Sequence, residues 1–328
     1  MSTTESSVTA AIEAALHAAV RAPSPHNTQP WRFETGAQHI DLLLDRERVL
    51  AVADPDAREA RLSCGAALLN LRLALRAAGR SVRYDLLPDR ERPDLLATAW
   101  ITGARVPSPE HQVLAAAIER RATHRHPFTE RAVPPHQRSA LVRAADLEGG
   151  RLLLLDRPSD LDAFAGLLRR ADHLQEQDPE FQQELMRWTA THAGREDGVP
   201  RSAGGPRPAG GSVLKIRAYD AHESTMERPF EQDPLVVLLA TQLDTPLDQL
   251  RAGQAMQRVL LTATVEGLRA SFLSQPTEIP ATRAALRELI GGRLHPQTVL
   301  RVGYGYATPR TPRRPAHTVT ATSAEPRP

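Results

Sequence analysis

The stretch GAALLNLRLALRAAG, residues 65–79, has a counterpart later in the chain, GQAMQRVLLTATVEG at residues 253–267. Both stretches open and close on glycine, and each is followed by strand-like sequence. The apolar or small residues that match between them are Ala67 with Ala255, Leu71 with Val259, and Leu73 with Leu261. The match favours a duplicated and fused unit, although an amphipathic helix rich in alanine and leucine is in itself a common pattern.

Hydrophobic periodicity along the rest of the chain predicts a mixture of helices and strands. Helices are predicted over 6–20, 53–79, 110–122, 135–146, 159–176 and 179–190, and a helix running into a strand over 253–273. Strands are predicted over 39–45, 81–87, 95–102, 151–156, 235–243 and 298–305. The Gly/Pro-rich segment 195–212 is predicted to be a mobile loop or lid, because it is too long for an ordinary connection. The tail from Thr308 has no core-forming pattern.

Composition indicates a globular protein with no general affinity for nucleic acid. Of 328 residues, 41% are hydrophobic and 24% charged, and the formal net charge is only +2, whereas a general nucleic-acid binder needs a concentrated basic face. The single cysteine, Cys64, excludes an intrachain disulfide, fits a reducing compartment and is predicted to be buried and inert. No signal peptide or bilayer-spanning run is recognised, so a cytoplasmic location without a membrane partner is expected.

The segment RAPSPHNTQPWRFE, residues 21–34, predicts a rigid, polar and irregular loop. Pro23, Pro25 and Pro30 each remove a backbone donor and restrict the residue before them. The segment shows neither a helical nor a strand period and contains the aromatic residue Trp31. Such a loop is either a connector or a binding site.

Two arginine-rich segments have the chemistry of a phosphate site. In RRATHRHPF, residues 120–128, arginines can bind phosphate in bidentate fashion and a threonine hydroxyl adds a donor. The segment PRTPRRP, residues 309–315, could close around the same phosphate. By composition alone, a solvated basic turn and a charged tail are the simpler interpretations. His124 and His126 lack carboxylates or cysteines at ligand spacing, so no metal site is predicted.

A third polar segment, LSQPTEIP at 273–280, follows a predicted strand and carries Ser274, Gln275 and Glu278. A strand exit is a usual place for ligand contacts, but an ordinary proline-bounded loop is an equally good interpretation. The sequence has no dinucleotide-binding glycine motif after a strand, no P-loop, no nucleophile elbow and no C-x-x-C pair.

These segments together resemble the flavin-dependent nitroreductase family over nearly the whole chain. APSPHNTQPW (22–31) resembles the family's A-P-S-x-x-N-x-Q-P-W segment, and RATHRHPF (121–128) resembles its R-x-S-x-[RK]-x-F phosphate motif. GQAMQRVLLTATVEGLRASFLSQP and LRVGYG resemble its C-terminal helix and last strand. The loop motif comes first and the phosphate motif later, and this order resembles that of the fused, pseudo-dimeric Acg-like branch. Two further segments also resemble that branch, DPDAREARLSCGAALLNLRLAL and REDGVP.

The resemblance implies an α+β fold in which two fused nitroreductase-like halves form an intramolecular pseudo-dimer, each a mostly antiparallel sheet wrapped by helices. Residues 1–106 would form the N-terminal half and residues 107–328 the C-terminal half, with a lid-like insertion at about 157–232. Family members bind FMN between two subunits, so the resemblance implies one FMN per chain. A monomeric pseudo-dimer or a weak homodimer is expected.

The resemblance also implies which residues bind the FMN phosphate. Arg121, Thr123 and Arg125 would contact it, and Thr123 would replace the family's usual serine while keeping the hydroxyl. The C-terminal phosphate ligand would be Arg313 or Arg314.

The ring of the flavin would be bordered by residues from both halves. Those implied by position are Pro23, Ser24, Asn27, Ser274 and Gln275. Gln29 also belongs to the cofactor-binding segment but is expected to brace the loop. His26 is expected to face the space that a substrate would occupy.

The resemblance implies an oxidoreductase that passes electrons from NAD(P)H through the flavin to a small organic acceptor such as a nitro compound or a quinone. The cofactor does this chemistry, so no catalytic side chain is predicted. One alternative is an FMN-binding protein that sequesters the flavin or senses redox state without turnover, because a closed lid would exclude nicotinamide. Another is a specialised biosynthetic flavin reductase or oxidase with a tailored pocket near His26.

Overall fold

The computed structural model describes residues 3–189, 194–210, 212–214, 216–217, 219 and 227–322. The helices in these ranges are α1 (Thr3–Ala19), α2 (Arg58–Ala77), α3 (Pro109–Ile118), α4 (Pro135–Asp146), α5 (Pro158–Gln177), α6 (Pro179–Thr189), α7 (Pro246–Val265), α8 (Gln275–Glu278) and α9 (Pro280–Leu289). The strands are β1 (Trp31–Thr35), β2 (His39–Leu44), β3 (Arg80–Leu86), β4 (Leu95–Ala104), β5 (Arg151–Leu154), β6 (Arg207–Pro208), β7 (Glu227–Arg228), β8 (Leu235–Thr241), β9 (Arg269–Phe272), β10 (His295–Gly303) and β11 (Thr320–Thr322). None of the helices in the described ranges is long and apolar enough to cross a membrane.

Two sheets repeat one strand order. The strands run in the order β11-β1-β2-β4-β3 in the first sheet and β5-β8-β10-β9 in the second. In the first sheet β2, which precedes α2, pairs with β4, the second strand after that helix. In the second sheet β8, which precedes α7, pairs in the same way with β10. All pairings in these sheets are antiparallel except that between β1 and β11. The predicted α+β class with two mostly antiparallel sheets and surrounding helices is confirmed. The repeated order is what a duplicated unit would show.

The long helices α2 and α7 are in backbone contact through a reciprocal pair of glycines. A Cβ atom on Gly65 would lie 2.2 Å from the carbonyl oxygen of Leu250, and one on Gly253 would lie 2.0 Å from that of Leu62. Only glycine permits this approach, since the hydrogen in place of Cβ is the smallest side chain available. The two glycines that open the matching stretches therefore lie at the crossing of the two helices.

The glycines that close the matching stretches end their helices in the same way. Gly79 has φ +75° and Gly267 has φ +76°, the left-handed conformation that favours glycine. Their backbone N–H groups donate to Arg76 O (3.1 Å) and Thr264 O (3.3 Å), respectively. The prediction that Gly79 ends its helix is confirmed.

Two predicted helix starts were wrong. The helix predicted from residue 53 begins at Arg58, because Ala57 has φ 54° and breaks the helical backbone. The helix predicted from residue 253 begins seven residues earlier, at Pro246. There Thr245 and Asp248 form a capping box and proline occupies the first turn, both of which are strong start signals.

The prediction that the tail lacks a core-forming pattern was also wrong. Residues 320–322 form β11, which pairs in parallel with β1 in the register Phe33↔Thr320. Ala316 and Val319 are buried in the core beneath it. Ala316 and Val319 are the two apolar side chains that pack here, and two such residues are too few to give a recognisable hydrophobic periodicity. The last strand completes the sheet built by the N-terminal part of the chain.

Candidate functional site

A cavity with about 850 Å³ of empty space, part of it open to solvent, lies between the loop after α1, the N-terminal end of α2, the strand exit after β9 and the segment 123–125. Of the residues that the sequence predicts for the site, those that line this cavity are Pro23, Ser24, His26, Asn27, Thr123, Arg125, Ser274, Gln275 and Arg313. Arg121 lines a smaller adjoining cavity, which shares Thr123, Arg125 and Arg313 with the first. Gln29 and Arg314 line neither cavity.

The loop on one wall holds an unusual backbone. His26, Asn27 and Gln29 have φ values of 46°, 58° and 55°, in the left-handed region. Each such non-glycine residue costs about 1–3 kcal/mol unless its surroundings fix it. Pro25 begins a short 3₁₀ turn here and restricts the alternatives open to the unfolded chain. The surroundings of the loop therefore have to hold this backbone in place.

Gln29 fixes this backbone from behind. Its backbone N–H donates to Ser24 Oγ (2.9 Å), and its side chain donates from Nε2 to Glu196 O (2.9 Å). Its Oε1 accepts a hydrogen bond from the backbone N–H of Arg314 (2.9 Å). Fully buried and hydrogen-bonded to three segments, Gln29 occupies a bracing position.

Asn27 joins the loop to two distant segments. Its Nδ2 donates to Gly198 O (2.9 Å) and to Pro312 O (3.0 Å). Its Oδ1 is buried without a hydrogen-bond partner among the described residues. This oxygen is therefore an acceptor held ready at the cavity wall.

His26 is buried on the same wall and is neutral. Burial, with a smaller contribution from the nearby Arg217 guanidinium, lowers the pKa of His26 to about 3. Its ring packs edge-on against Tyr219, with ring centroids 5.9 Å apart. Nδ1 finds no partner among the described residues. A neutral imidazole here can exchange a hydrogen bond with a guest but carries no charge near neutral pH.

The opposite end of the cavity is strongly basic, and the two arginine-rich segments meet there. Five arginines and one glutamate line the adjoining cavity, and that glutamate, Glu119, is already paired with Arg21 (Nε to Oε2, 2.9 Å). Burial first, and then Arg310 and Arg125, lower the pKa of Arg121 to about 10. Burial and Arg121 likewise lower the pKa of Arg313. Among the described residues that line this end, Glu119 is the only acid.

Two buried guanidinium nitrogens at this end lack partners. The Nε atoms of Arg121 and Arg313 are enclosed and form no hydrogen bond with the described residues. Leaving a buried charged donor unpaired is costly. The arrangement therefore favours an anion with several acceptor oxygens.

A buried ion pair positions the basic segment 123–128. Arg301, fully buried on β10, donates to Glu231 Oε1 (2.6 Å) and to His126 O (2.9 Å) and lies over the ring of Phe128 at 4.2 Å. The other Glu231 oxygen accepts a hydrogen bond from the Phe128 N–H (2.9 Å). The backbone N–H of His124 donates to Ala270 O on β9 (2.8 Å). The segment is thus attached to the sheet on both sides.

The described part of the segment between α6 and β7 covers the cavity. Arg217 donates to Glu278 Oε2 (2.5 Å) and to Gln175 Oε1 (2.8 Å), and Tyr219 lies under the Arg125 guanidinium at 4.8 Å. A Cβ atom on Gly205 would lie 2.3 Å from Arg125 O, so the segment approaches the basic wall closely. Sequence analysis predicted a loop or lid here, but it did not identify Arg217 or Tyr219, because no periodicity surrounds them.

Glu59 also lines the cavity, from the first turn of α2, and is not predicted from the sequence. Burial and the neighbouring Glu278 raise the pKa of Glu59 to about 8. Burial would also raise the pKa of Glu278, but the Arg217 guanidinium holds it at about 2. The two carboxyl groups are thereby separated into one neutral and one ionised group near pH 7. No sequence pattern distinguishes Glu59 from an ordinary acidic residue at a helix start.

Curated relatives of this chain include proteins from Mycobacterium tuberculosis. "Putative NAD(P)H nitroreductase Rv3131" is 35% identical over 314 residues, which is 92% of this chain and 89% of the relative. "Putative NAD(P)H nitroreductase acg" is 33% identical over 315 residues, 93% of each chain. No family model matches. The chain belongs to the Acg-like branch of the nitroreductase family.

Solved structures give a weaker likeness. A nitroreductase with bound FMN from Desulfitobacterium hafniense is 11% identical, with 64% of this chain and 98% of that chain covered and a TM-score of 0.43. The NADPH:FMN oxidoreductase of Vibrio harveyi complexed with NAD⁺ is 12% identical, with 66% and 79% covered and a TM-score of 0.40.

Proposed function

We propose that this protein binds FMN in the cavity between its two parts and uses NAD(P)H to reduce a small organic acceptor such as a nitro compound or a quinone. The observation that carries the proposal is the basic end of the cavity, where Arg121, Arg125 and Arg313 meet. The buried Nε atoms of Arg121 and Arg313 find no hydrogen-bond partner there among the described residues. Two of its relatives carry the name "Putative NAD(P)H nitroreductase". Under the proposal, residues 1–106 and 107–328 each supply one wall of the site.

The residues present fit FMN at both of its ends. The phosphate would accept hydrogen bonds from Arg121 and Arg313, whose buried Nε atoms lack partners. The ring would lie against Pro23 and Ser24 on one wall, with the free Asn27 Oδ1 available to a ring N–H. When bound, FMN supplies hydride and electron transfer; the protein binds it, orients it and limits access to it.

Spectra of the purified protein under anaerobic conditions, before and after addition of NADPH or NADH, test the proposal. Flavin absorption that bleaches with reduced nicotinamide is the expected result. No flavin binding, even after FMN is added, would reject the proposal. Arg121→Gln is expected to weaken FMN binding at least tenfold, because it removes a buried phosphate ligand. Arg120→Gln, an exposed neighbour, is the matched control and should bind FMN as the wild type does.

A second function, flavin sequestration or redox sensing without turnover, is supported by the covering segment. The Arg217–Glu278 pair is buried, with the two side chains only 8% and 2% exposed, so opening this cover would expose both charges. If the cover stays closed, bound flavin is reduced by dithionite but not by NAD(P)H. Limited proteolysis within residues 195–212 should then restore reduction by NAD(P)H. Bleaching by NAD(P)H in the intact protein would reject this second function.

A further inference from the structure

We infer that Glu59 is the proton donor inside the cavity and supplies the proton that each reduction of an acceptor consumes. The inference rests on the proposed function and deepens it, because it assigns a catalytic role to a side chain of this chain. Three observations carry it: the position of Glu59 in the cavity wall, the pattern of its hydrogen bonds, and the charges around it.

Glu59 is buried and borders the cavity beside Leu62, Ser63 and the His26 loop. Its Oε1 accepts a hydrogen bond from Arg58 Nη2 (2.8 Å), and the Thr277 hydroxyl lies 3.4 Å from the same oxygen. None of the described residues hydrogen-bonds to Oε2. A carboxylic acid in this position can accept with Oε1 and hold its proton on Oε2.

The surrounding charges favour the protonated form. Two acids face Glu59, Glu278 from α8 and Asp54 from the turn before α2, and two arginines oppose them, Arg58 and Arg217. Arg217 donates two hydrogen bonds to Glu278, so its positive charge mainly stabilises the Glu278 carboxylate and not that of Glu59. Two carboxylates in one buried site cannot both ionise cheaply. Glu278 accepts two hydrogen bonds from Arg217 (2.5 and 3.2 Å) and one from the Ser274 hydroxyl (2.7 Å). Glu59 accepts a single guanidinium hydrogen bond, from Arg58 (2.8 Å), so it is the less strongly stabilised carboxylate and keeps its proton. Burial and Glu278 raise the pKa of Glu59 to about 8, which suits a proton donor near neutral pH.

The proton balance of the reaction requires such a donor. For a quinone acceptor, quinone + NAD(P)H + H⁺ gives hydroquinone + NAD(P)⁺. The nicotinamide provides one hydride, which carries both electrons, so one further proton must come from elsewhere. Ile216, Arg217 and Tyr219 line the cavity from the segment that covers it, so a donor within the wall lies closer to a bound guest than bulk water does. Glu59 releases the proton from Oε2, is left as a carboxylate beside Arg58, and regains a proton from solvent before the next turnover.

His26, the other titratable group on this wall, cannot take the role. Burial lowers the pKa of His26 to about 3, so its imidazole is neutral near neutral pH and has no labile proton to give. Glu278 is ionised and bound by Arg217, and Cys64 is buried under Pro30, where burial raises the pKa of its thiol.

Infrared spectroscopy tests the protonation directly on the full chain as purified, whether or not it turns over. The C=O stretching band of a protonated carboxyl group is expected at pH 6 and should disappear with a midpoint near pH 8. Glu59→Gln should remove the band, and the variant should fold, since it replaces a neutral acid by a neutral amide of the same shape. Glu47→Gln, at an exposed site, should retain it. A band that persists in Glu59→Gln, or no band in the wild type at pH 6, would overturn the inference.

Kinetics then tests the role. Glu59→Gln is expected to lower quinone turnover at pH 7 about 100-fold, to leave FMN affinity unchanged, and to abolish the fall in rate above pH 8. Glu47→Gln should behave as the wild type. If FMN binds and turnover of Glu59→Gln equals that of the wild type, the inference fails while the proposed function stands. If the wild type binds no FMN, the proposed function fails, and the inferred role fails with it, even where the infrared band is present.

Discussion

Gly65 and Gly253 bring the two long helices into direct backbone contact: a Cβ atom built on Gly65 would lie 3.0 Å from the Cα of Gly253. The contact is reciprocal, because the Leu62 and Leu250 carbonyls oppose the two glycines in the same way. It lies within a hydrophobic core that includes residues of both sheets. The two parts of the chain are therefore packed as one body around a glycine crossing.

Gly253→Ala is expected to destabilise the protein by at least about 1–3 kcal/mol, the usual cost of overpacking, because the new methyl group meets backbone that cannot move aside locally. Gly166→Ala is the control, since Gly166 lies in α5 with nothing within 4 Å of its virtual Cβ. That change should stabilise the helix by up to about 1 kcal/mol. Urea midpoints at constant m-value measure both. Equal stability of Gly253→Ala and wild type would contradict the glycine-crossing explanation.

Arg301→Met is expected to cost about 3–5 kcal/mol, because it leaves the Glu231 carboxylate buried without its partner. Removing the exposed Arg151–Asp146 pair by Arg151→Met should cost less than about 1 kcal/mol. Thermal unfolding of the two variants compares them. The double variant Arg301→Met with Glu231→Gln should recover part of the stability lost in Arg301→Met. If instead the losses of the two single variants add in the double variant, the cost of Arg301→Met does not come from an uncompensated charge on Glu231.

Acid should destabilise the folded protein partly through His26. Its folded pKa is depressed to about 3 from an ordinary value of 6.5, so it favours the folded state above pH 6.5, and this contribution is lost as pH falls from 6.5 towards 3. Between pH 6.5 and 4.5 the loss is about 2–3 kcal/mol. His26→Asn, which tolerates the left-handed backbone, should flatten this part of the stability profile. His136→Asn, at an exposed site, should not.

Gln29→Leu is expected to weaken FMN binding about tenfold without removing any cavity-lining group, because the loop loses two buried hydrogen bonds that position it. Titration of flavin fluorescence measures the affinity. Gln38→Leu, with an exposed side chain on the turn between β1 and β2, is the control. Unchanged FMN affinity in Gln29→Leu would show that the loop keeps its shape without this brace.

The parts of the fold that follow local periodicity could be predicted, and those that depend on distant partners could not. The long helices and the strands β2, β4, β8 and β10 carry apolar patterns that predict them locally, and β3 (RSVRYDL) alternates polar and apolar residues as a strand does. Strand β11 exists only because β1 offers it an edge. The start of α7 could have been found, because Thr245, Pro246 and Asp248 form a recognisable capping sequence.

The candidate site divides in the same way. Residues within the two short motifs, such as Asn27 and Thr123, could be named because these motifs resemble those of the nitroreductase family. Arg217 and Tyr219 reach the cavity from a segment without local pattern. The state of Glu59 depends on its burial beside Glu278, more than two hundred residues away in the sequence, so no reading of neighbours along the chain could reveal it.

Pairing of β11 with β1 has a consequence for biosynthesis. The sheet that begins at Trp31 gains its outer strand from residues 320–322. During synthesis, the edge of β1 therefore stays open until residues 320–322 have left the exit tunnel, and an open strand edge is a template for pairing with other chains. Nascent chains on neighbouring ribosomes of one messenger should thus be prone to pair with one another until these residues emerge.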